Sequence, residues 1–281
     1  MLSRKIGIDL GSATVRLFVK GEGVVLNERS AAAPGRDSNR TLHQLIGRAS
    51  GRVRLFRPDV VVSVPSAVSS GERRAVAEAA MAAGARQVWL IDEPLAAAMG
   101  AGLPIADVRA SAICEIGAAT TEIAVISLSG TVVERAIDTG GNKVDGAIAA
   151  AFGIDRAAAE AVKIAVGSAL PLAEPLATTV DGRRITSNDV AAAIEAPLRR
   201  MALALVEALA ETPPELASDV RERGVVLSGG GAQLRALDRF ITQRTGIPAT
   251  VAEEPQTSVV RGTGLALESF EVLRRNQSYV R

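Results

Sequence analysis

One pattern occurs twice in this chain, and it limits the fold more than any other feature. Ile8-Asp9-Leu10-Gly11-Ser12-Ala13-Thr14 returns as Cys114-Glu115-Ile116-Gly117-Ala118-Ala119-Thr120. Further on, Gly23-Val24-Val25 lines up with Gly130-Thr131-Val132 once one residue is inserted. Each copy reads as a short β-branched strand, an acidic-x-Gly turn, a second strand, a glycine and a third strand. A duplicated unit of this kind implies two related α/β halves with a cleft between them.

The rest of the chain supplies the helices that such halves need. Val60 to Val64 is an apolar strand, Gly71 to Gly84 an alanine-rich helix, Val88 to Ile91 a strand, and Pro94 to Gly100 the start of a helix. Helices are expected near 142–151 and 155–167, a strand pair near 176–186 and a long helix from Ser187 to about Ala210. The strand Gly224 to Leu227 then runs into Ser228-Gly229-Gly230-Gly231 and another helix. Residues 29–52 differ in character, with Arg, Ser, Asn, Gly and Pro dominant and one short helical candidate from Thr41 to Ile46.

Charge and cysteine content exclude several classes. With 32 basic and 31 acidic residues there is no field to attract nucleic acid. One cysteine, Cys114, rules out a disulfide framework and fits a reducing cytoplasm. No apolar run reaches the roughly 18 residues of a membrane span, and Met1 to Lys5 leads into a strand without a secretory signal.

Two acidic-x-Gly hairpins facing one cleft can clasp a polyphosphate. Backbone N–H groups of a tight turn form an anion-binding concavity, and glycine lets the phosphate approach. An acid that ends the preceding strand can hold the hydrated magnesium of a nucleotide. Asp9 with Gly11, Ser12 and Ala13, opposed by Glu115 with Gly117, Ala118, Ala119 and Thr120, fits that description. Two ordinary β-turns are the plainer reading. Gly229-Gly230-Gly231 is either a structural turn or bare backbone lying against an adenosine. Asp92-Glu93-Pro94 is either a helix cap or a carboxylate that orients water for hydrolysis. Glu160 and Lys163, three apart on one helical face, are either a solvated ion pair or a grip on ribose.

These motifs, in this order, resemble those of the MreB-like bacterial actins. The likeness is carried by Ile8-Asp9-Leu10-Gly11, Leu90-Ile91-Asp92-Glu93-Pro94-Leu95, Thr120-Thr121-Glu122-Ile123-Ala124-Val125-Ile126, Gly140-Gly141, Val226-Leu227-Ser228-Gly229-Gly230-Gly231 and Arg261-Gly262-Thr263-Gly264. It covers nearly the whole chain outside residues 29–52. It implies an actin-like ATPase fold, two ribonuclease-H-like lobes around a nucleotide cleft. The first lobe would span residues 1–138 and be completed by a C-terminal helix at 262–281; the second would span 139–261, with a small insert at about 155–200.

By the same resemblance Asp9, Gly11 and Ser12 form the first phosphate loop, and Glu115, Gly117 and Thr120 the second. Glu93 positions water, Glu160 and Lys163 contact ribose and adenine, and Gly229 to Gly231 hold the adenosine. The ligands would be ATP or ADP with Mg2+ held through water by Asp9 and Glu115. Leu55-Phe56 resembles the hydrophobic loop with which the family touches the inner membrane, although such a pair is also ordinary core. The implied function is a cytoplasmic cytoskeletal protein, peripheral to the membrane, that organises cell shape or wall synthesis. Its partners would be its own copies, a full-length relative, or the wall-synthesis machinery, and not nucleic acid.

Two departures from the family pattern stand out. The stretch between the first hairpin and Val60 is short, so the small subdomain of the first lobe is reduced to about 29–52. The second phosphate loop usually reads Asp-x-Gly-Gly-Gly-Thr, whereas Glu115, Ala118 and Ala119 stand here. Extra methyl groups near the phosphates imply slow hydrolysis even where binding survives. The alternatives are a non-polymerising module that co-assembles with a full-length relative, and a chaperone-like ATPase. The chain shows no client-binding domain for the latter.

Overall fold

The computed structural model describes residues 4–30, 38–50, 57–268 and 279–280. The first repeat copy folds into β1 (Lys5–Leu10), β2 (Thr14–Val19) and β3 (Gly23–Arg29), followed by α1 (Ser38–Ser50), β4 (Asp59–Val64), α2 (Ser70–Ala82), β5 (Gln87–Asp92) and α3 (Glu93–Gly100). The second copy gives β6 (Ser111–Ile116), β7 (Thr121–Ser127) and β8 (Gly130–Ile137), then α4 (Gly141–Phe152) and α5 (Arg156–Val166). A separate hairpin of β9 (Ala177–Val180) and β10 (Arg183–Thr186) precedes α6 (Ser187–Glu211) and α7 (Pro214–Arg223). β11 (Val225–Ser228), α8 (Leu237–Thr245) and β12 (Ala249–Val251) complete that half, and α9 (Ser258–Ala266) and β13 (Tyr279–Val280) end the described chain.

The two sheets have the same strand order. One runs β5-β4-β1-β2-β3, with β13 added at the β5 edge, and the other runs β12-β11-β6-β7-β8. In each, the repeat copy is an antiparallel meander and its first strand pairs in parallel with a later one, β4 or β11. All six residues of β4 are buried, as befits a parallel strand covered on both faces. The duplication inferred from the sequence is thus a duplication of topology.

The expected boundary at 138/139 is displaced. β6 is hydrogen-bonded to both β7 and β11, so residues 111–137 belong to the second sheet and the division falls between α3 and β6. A meander cannot sit in one lobe while its first strand builds the sheet of the other. The C-terminal return to the first lobe includes the helix Ser258–Ala266, and Tyr279–Val280 pairs antiparallel with Trp89 and Val88 of β5; residues 269–278 of the expected helix at 262–281 lie outside the described residues. Residues 155–200 hold α5, the β9–β10 hairpin and the start of α6, whose capping box pairs Thr186 with Asp189.

Residues 29–52 contain more structure than their composition suggests. Helix α1 is 13 residues long, and Leu42, Leu45, Ile46 and Ala49 are buried in the core with Ile8, Leu17 and Ala80. Those four positions follow the spacing of one helical face.

α3 and α9 cross where the two sheets meet. Their core joins Val61, Trp89 and Ile91 of the first sheet to Ile113, Ala124 and Ile126 of the second. The crossing is backbone on backbone. A Cβ at Gly262 would lie 1.8 Å from the Ala96 carbonyl oxygen, and one at Gly100 would lie 1.8 Å from that of Ser258. A Cβ at Gly7 would lie 2.1 Å from the Thr263 hydroxyl and one at Gly264 2.4 Å from the Phe18 ring, which seats α9 on β1 and β2. Gly262→Ala is therefore expected to cost about 3 kcal/mol or more, because the obstructing atoms are backbone and cannot step aside. Thermal melting checks this, with Gly146→Ala as the control: Gly146 lies in α4 with nothing within 4 Å, and the change should be neutral or slightly stabilising.

Candidate functional site

The repeated hairpins face each other across a cleft of about 1190 Å³. Asp9, Gly11, Ser12 and Ala13 line it from the first lobe, with Glu93 at the start of α3. Glu115, Gly117, Ala118, Ala119 and Thr120 line it from the second, as do Glu160 and Lys163 of α5 and Gly229, Gly230 and Gly231 after β11. The structure brings all of these sequence-selected residues together. Leu55 and Phe56 lie outside the described residues.

The turns are shaped by close backbone contacts. A Cβ at Gly11 would approach the Thr14 carbonyl oxygen to 2.9 Å, so no larger residue closes this turn without a shift. In the second turn the Gly117 N–H donates to Thr120 O at 2.9 Å. Its Gly117 and Ala118 carbonyls accept from the N–H groups of Gly141 and Asn142 at 2.9 and 2.7 Å, which pins the loop to the start of α4. Gly140 lets that contact form, since a Cβ there would lie 2.6 Å from Gly117 O. Ala118 and Ala119 are absent from the positive-φ residues, so this loop accommodates them without left-handed backbone.

The glycine loop differs from its expected form. Gly230–Gln233 is a single 3-10 turn, and the helix proper begins at Leu237. Gly229 has φ +83°, and a Cβ there would lie 2.5 Å from Glu115 Oε1, so loop and acid are packed together. Gly230 has open space around it, leaving bare backbone at the cleft.

The floor is rich in carboxylates. Glu115 is buried and its Oε2 has no hydrogen-bond partner among the described residues. Burial pushes its carboxyl well above the usual range, and Glu122 and Asp9 push the same way against a pull from Arg16. Glu93 is raised likewise, first by loss of water and then by Glu122, Glu115, Asp9 and Asp92. Asp92, the cap candidate, makes no capping bond; it pairs with Arg73 of α2. Glu93 is thus the carboxylate that lines the cleft.

Glu160 and Lys163 do not pair with each other. Lys163 Nζ lies 2.7 Å from Asp145 Oδ1 on α4, and both Glu160 oxygens accept from Arg29 Nη2 at 3.3 Å. Arg29 ends β3, so this bridge crosses the mouth of the cleft from lobe to lobe. A second crossing lies deeper, where the Ser66 N–H donates to Glu122 Oε2 at 3.0 Å.

Sequence reasoning missed Arg16, Arg29, Asp145, Arg156 and Arg235, which also line the cleft. A signal for Arg16 was present: it is the one charged residue in the strand Thr14–Val19, and the repeat places it opposite Glu122 of the other copy. The distant partners Arg29 and Asp145 left no comparable mark.

Two sheets of one topology, each delivering an acidic-x-Gly turn to a shared cleft, define an actin-like protein. The family model for MreB/Mbl protein matches residues 36–275. The chain is 39% identical to the cell shape-determining protein MreB of Escherichia coli (strain K12) over 335 aligned positions, which cover 97% of this chain and 95% of that one. It is 31% identical to the cell shape-determining protein Mbl of Bacillus subtilis (strain 168), covering 99% of each. A crystal structure of MreB 5 of Spiroplasma citri bound to AMPPNP superposes with a TM-score of 0.87 at 26% identity, over 96% of this chain and 98% of that one. The chain belongs to the MreB/Mbl family of bacterial actin-like, cytoskeletal cell-shape proteins. It is a shortened member: 97% of 281 residues is about 273, so roughly sixty of the 335 positions aligned with the Escherichia coli protein have no residue here.

The raised carboxyls give a signed pH prediction. An acid whose folded value is raised contributes stability that is fully present below its ordinary value of 4.5, and loses it as pH climbs through the raised value. Glu115→Gln is therefore expected to flatten the fall in melting temperature that ligand-free protein shows as pH climbs above 4.5. At pH 8 the variant should melt higher than wild type. A variant that melts lower than wild type at pH 8 would contradict the electrostatic account.

Proposed function

We propose that the cleft binds ATP and ADP with Mg2+, and that the chain acts as a minimal cytoskeletal actin organising cell shape or wall synthesis. The observation that carries this reading is the convergence of both acidic-x-Gly turns and the Gly229–Gly231 loop on one cavity. In this reading the turn N–H groups of Gly11 to Ala13 and Gly117 to Thr120 receive the phosphates. Lys163 and Glu160 face the ribose, and the open backbone at Gly230 lies against the adenosine.

The donor set suits magnesium carried in with the nucleotide. Among the described residues no group of three or more acids, histidines or cysteines is arranged to hold a metal. Two carboxylates, Asp9 and the unpartnered Glu115, suit an ion that keeps most of its water. When bound, that ion would neutralise phosphate charge. Glu93, with its raised carboxyl, would orient the attacking water. Ala118 and Ala119 add methyl groups to the loop where phosphate must come close, which favours slow hydrolysis over fast.

The partners would be further copies of this chain or a full-length relative. A head-to-tail contact that does not close gives a filament. Placement at the inner face of the membrane, through Leu55 and Phe56, and contact with wall-synthesis machinery belong to the same proposal. The second reading, a co-assembling module that does not polymerise alone, is favoured by one feature: between β3 and β4 the only described element is α1.

Titration of the purified protein with a fluorescent ATP analogue and Mg2+, with light scattering and pelleting, tests both. Saturable binding with rising scattering is the expected result for a minimal actin. Binding without scattering, and pelleting only beside a full-length relative, would establish the co-assembling module instead. A wild-type chain that binds no nucleotide would end the nucleotide reading.

A further inference from the structure

Arg16 is a buried cation on the wall of the cleft. It stands on β2 directly opposite Asp9 in the β1–β2 register, and opposite Asn27 in the β2–β3 register. Its Nη1 donates to Asp9 Oδ2 at 2.9 Å and its Nε to Asn27 Oδ1 at 3.1 Å. Only 9% of the residue is exposed, and it lines the cleft. Among the described residues nothing accepts from Nη2. The guanidinium is thus held from both sides on one row of the sheet, with donors to spare.

The other hairpin has no such cation. There Glu115 stands opposite Glu122. Across both turns, Arg16 is the one base among the cleft-lining residues; Arg29, Arg156, Lys163 and Arg235 lie at β3, α5 and the approach to α8. Burial raises the carboxyls of Asp9 and Glu115, and the positive charge of Arg16 opposes that rise in both, whereas the charged groups bearing on Glu93 are all acids. A polyphosphate entering this floor meets three carboxylates and one permanent cation.

Resting on the nucleotide reading above, we propose that Arg16 is a phosphate-binding residue. It lets the cleft hold a nucleoside di- or triphosphate without a divalent cation. In the empty cleft its fork is occupied by Asp9. When a phosphate tail enters, the free Nη2 donors reach it first, and Asp9 competes with the phosphates for the same guanidinium. Asp9 then acts as a brake on metal-free binding, one that is released when a hydrated cation draws the carboxylate off.

Calorimetric titration of the intact chain with ATP, ADP and adenosine, each in Mg2+ and in EDTA, tests this. Wild type should bind ATP in EDTA. Arg16→Gln should weaken metal-free ATP and ADP at least tenfold, a change of about 1.4 kcal/mol, and leave adenosine within twofold; Arg16→Lys should recover part of the loss. Asp9→Asn should tighten metal-free ATP several-fold by freeing the guanidinium, and abolish the gain on adding Mg2+. Equal loss for ATP and adenosine in Arg16→Gln, or no loss, overturns the proposal while leaving a nucleotide site. So does wild type that binds ATP only with Mg2+. If melting shows that Arg16→Gln does not fold, Asp9→Asn decides: unchanged or weaker metal-free binding overturns the assignment. Wild type that binds neither ATP nor adenosine removes the nucleotide reading and this inference with it.

Discussion

The contact between α3 and α9 decides where everything else can stand. Gly100 and Gly262 bring the two helices to backbone distance, and the shared core of Trp89, Ile91, Leu95, Ile113 and Ile126 then ties one sheet to the other. At these two crossings there is no room even for a methyl group. Because α3 starts at Glu93 and follows β5 without a break, the same contact fixes that carboxylate relative to both turns. Packing at the back of the molecule thus sets the geometry at the front.

That geometry gathers like charges, and the cost of gathering them shapes the site. Glu93 and Glu115 stay protonated well above the usual range because burial and mutual repulsion both oppose ionisation. Asp9 pairs with Arg16 and Asp92 with Arg73, and Glu122 accepts one hydrogen bond from the Ser66 N–H. The two unrelieved oxygens, Glu115 Oε2 and Glu122 Oε1, lie on neighbouring strands facing the other lobe. Buried polar atoms are normally paired, so these two acid oxygens mark a place where the fold gives up stability of its own.

How far the sequence revealed this depends on whether a feature is periodic or distant. The repeat was legible because topology is copied with its turn residues, and both turns, the glycine loop and Glu93 reached one cleft as expected. The lobe boundary was misjudged because β8 lies next to a helix start in sequence, while its hydrogen bonds run to β7. Ion pairs such as Arg29–Glu160 and Lys163–Asp145 link elements far apart in the chain or on neighbouring helices, and no local spacing encodes them. Helix α1 was underestimated because its composition is polar although four of its residues reach the core.

The shortened chain keeps its cleft because the floor is built from the two sheets and α3. Asp9, Arg16 and Glu115 come from β1, β2 and β6, which are hydrogen-bonded within the two sheets, and Glu93 from the first turn of α3. What the reduction alters is the mouth. Arg29 and Ser30, at the end of β3, and Thr41 of α1 line it in person. There the bridge to Glu160 is exposed, with side-chain accessibilities of 79% and 39%, so it adds little to stability. A weak ionic bridge at a mouth is easily opened and re-formed, whereas the deeper Ser66–Glu122 contact is buried at its acid end and holds more firmly. Any opening of the cleft is therefore expected to break the Arg29–Glu160 bridge first, with the lobes still joined through α3 and α9.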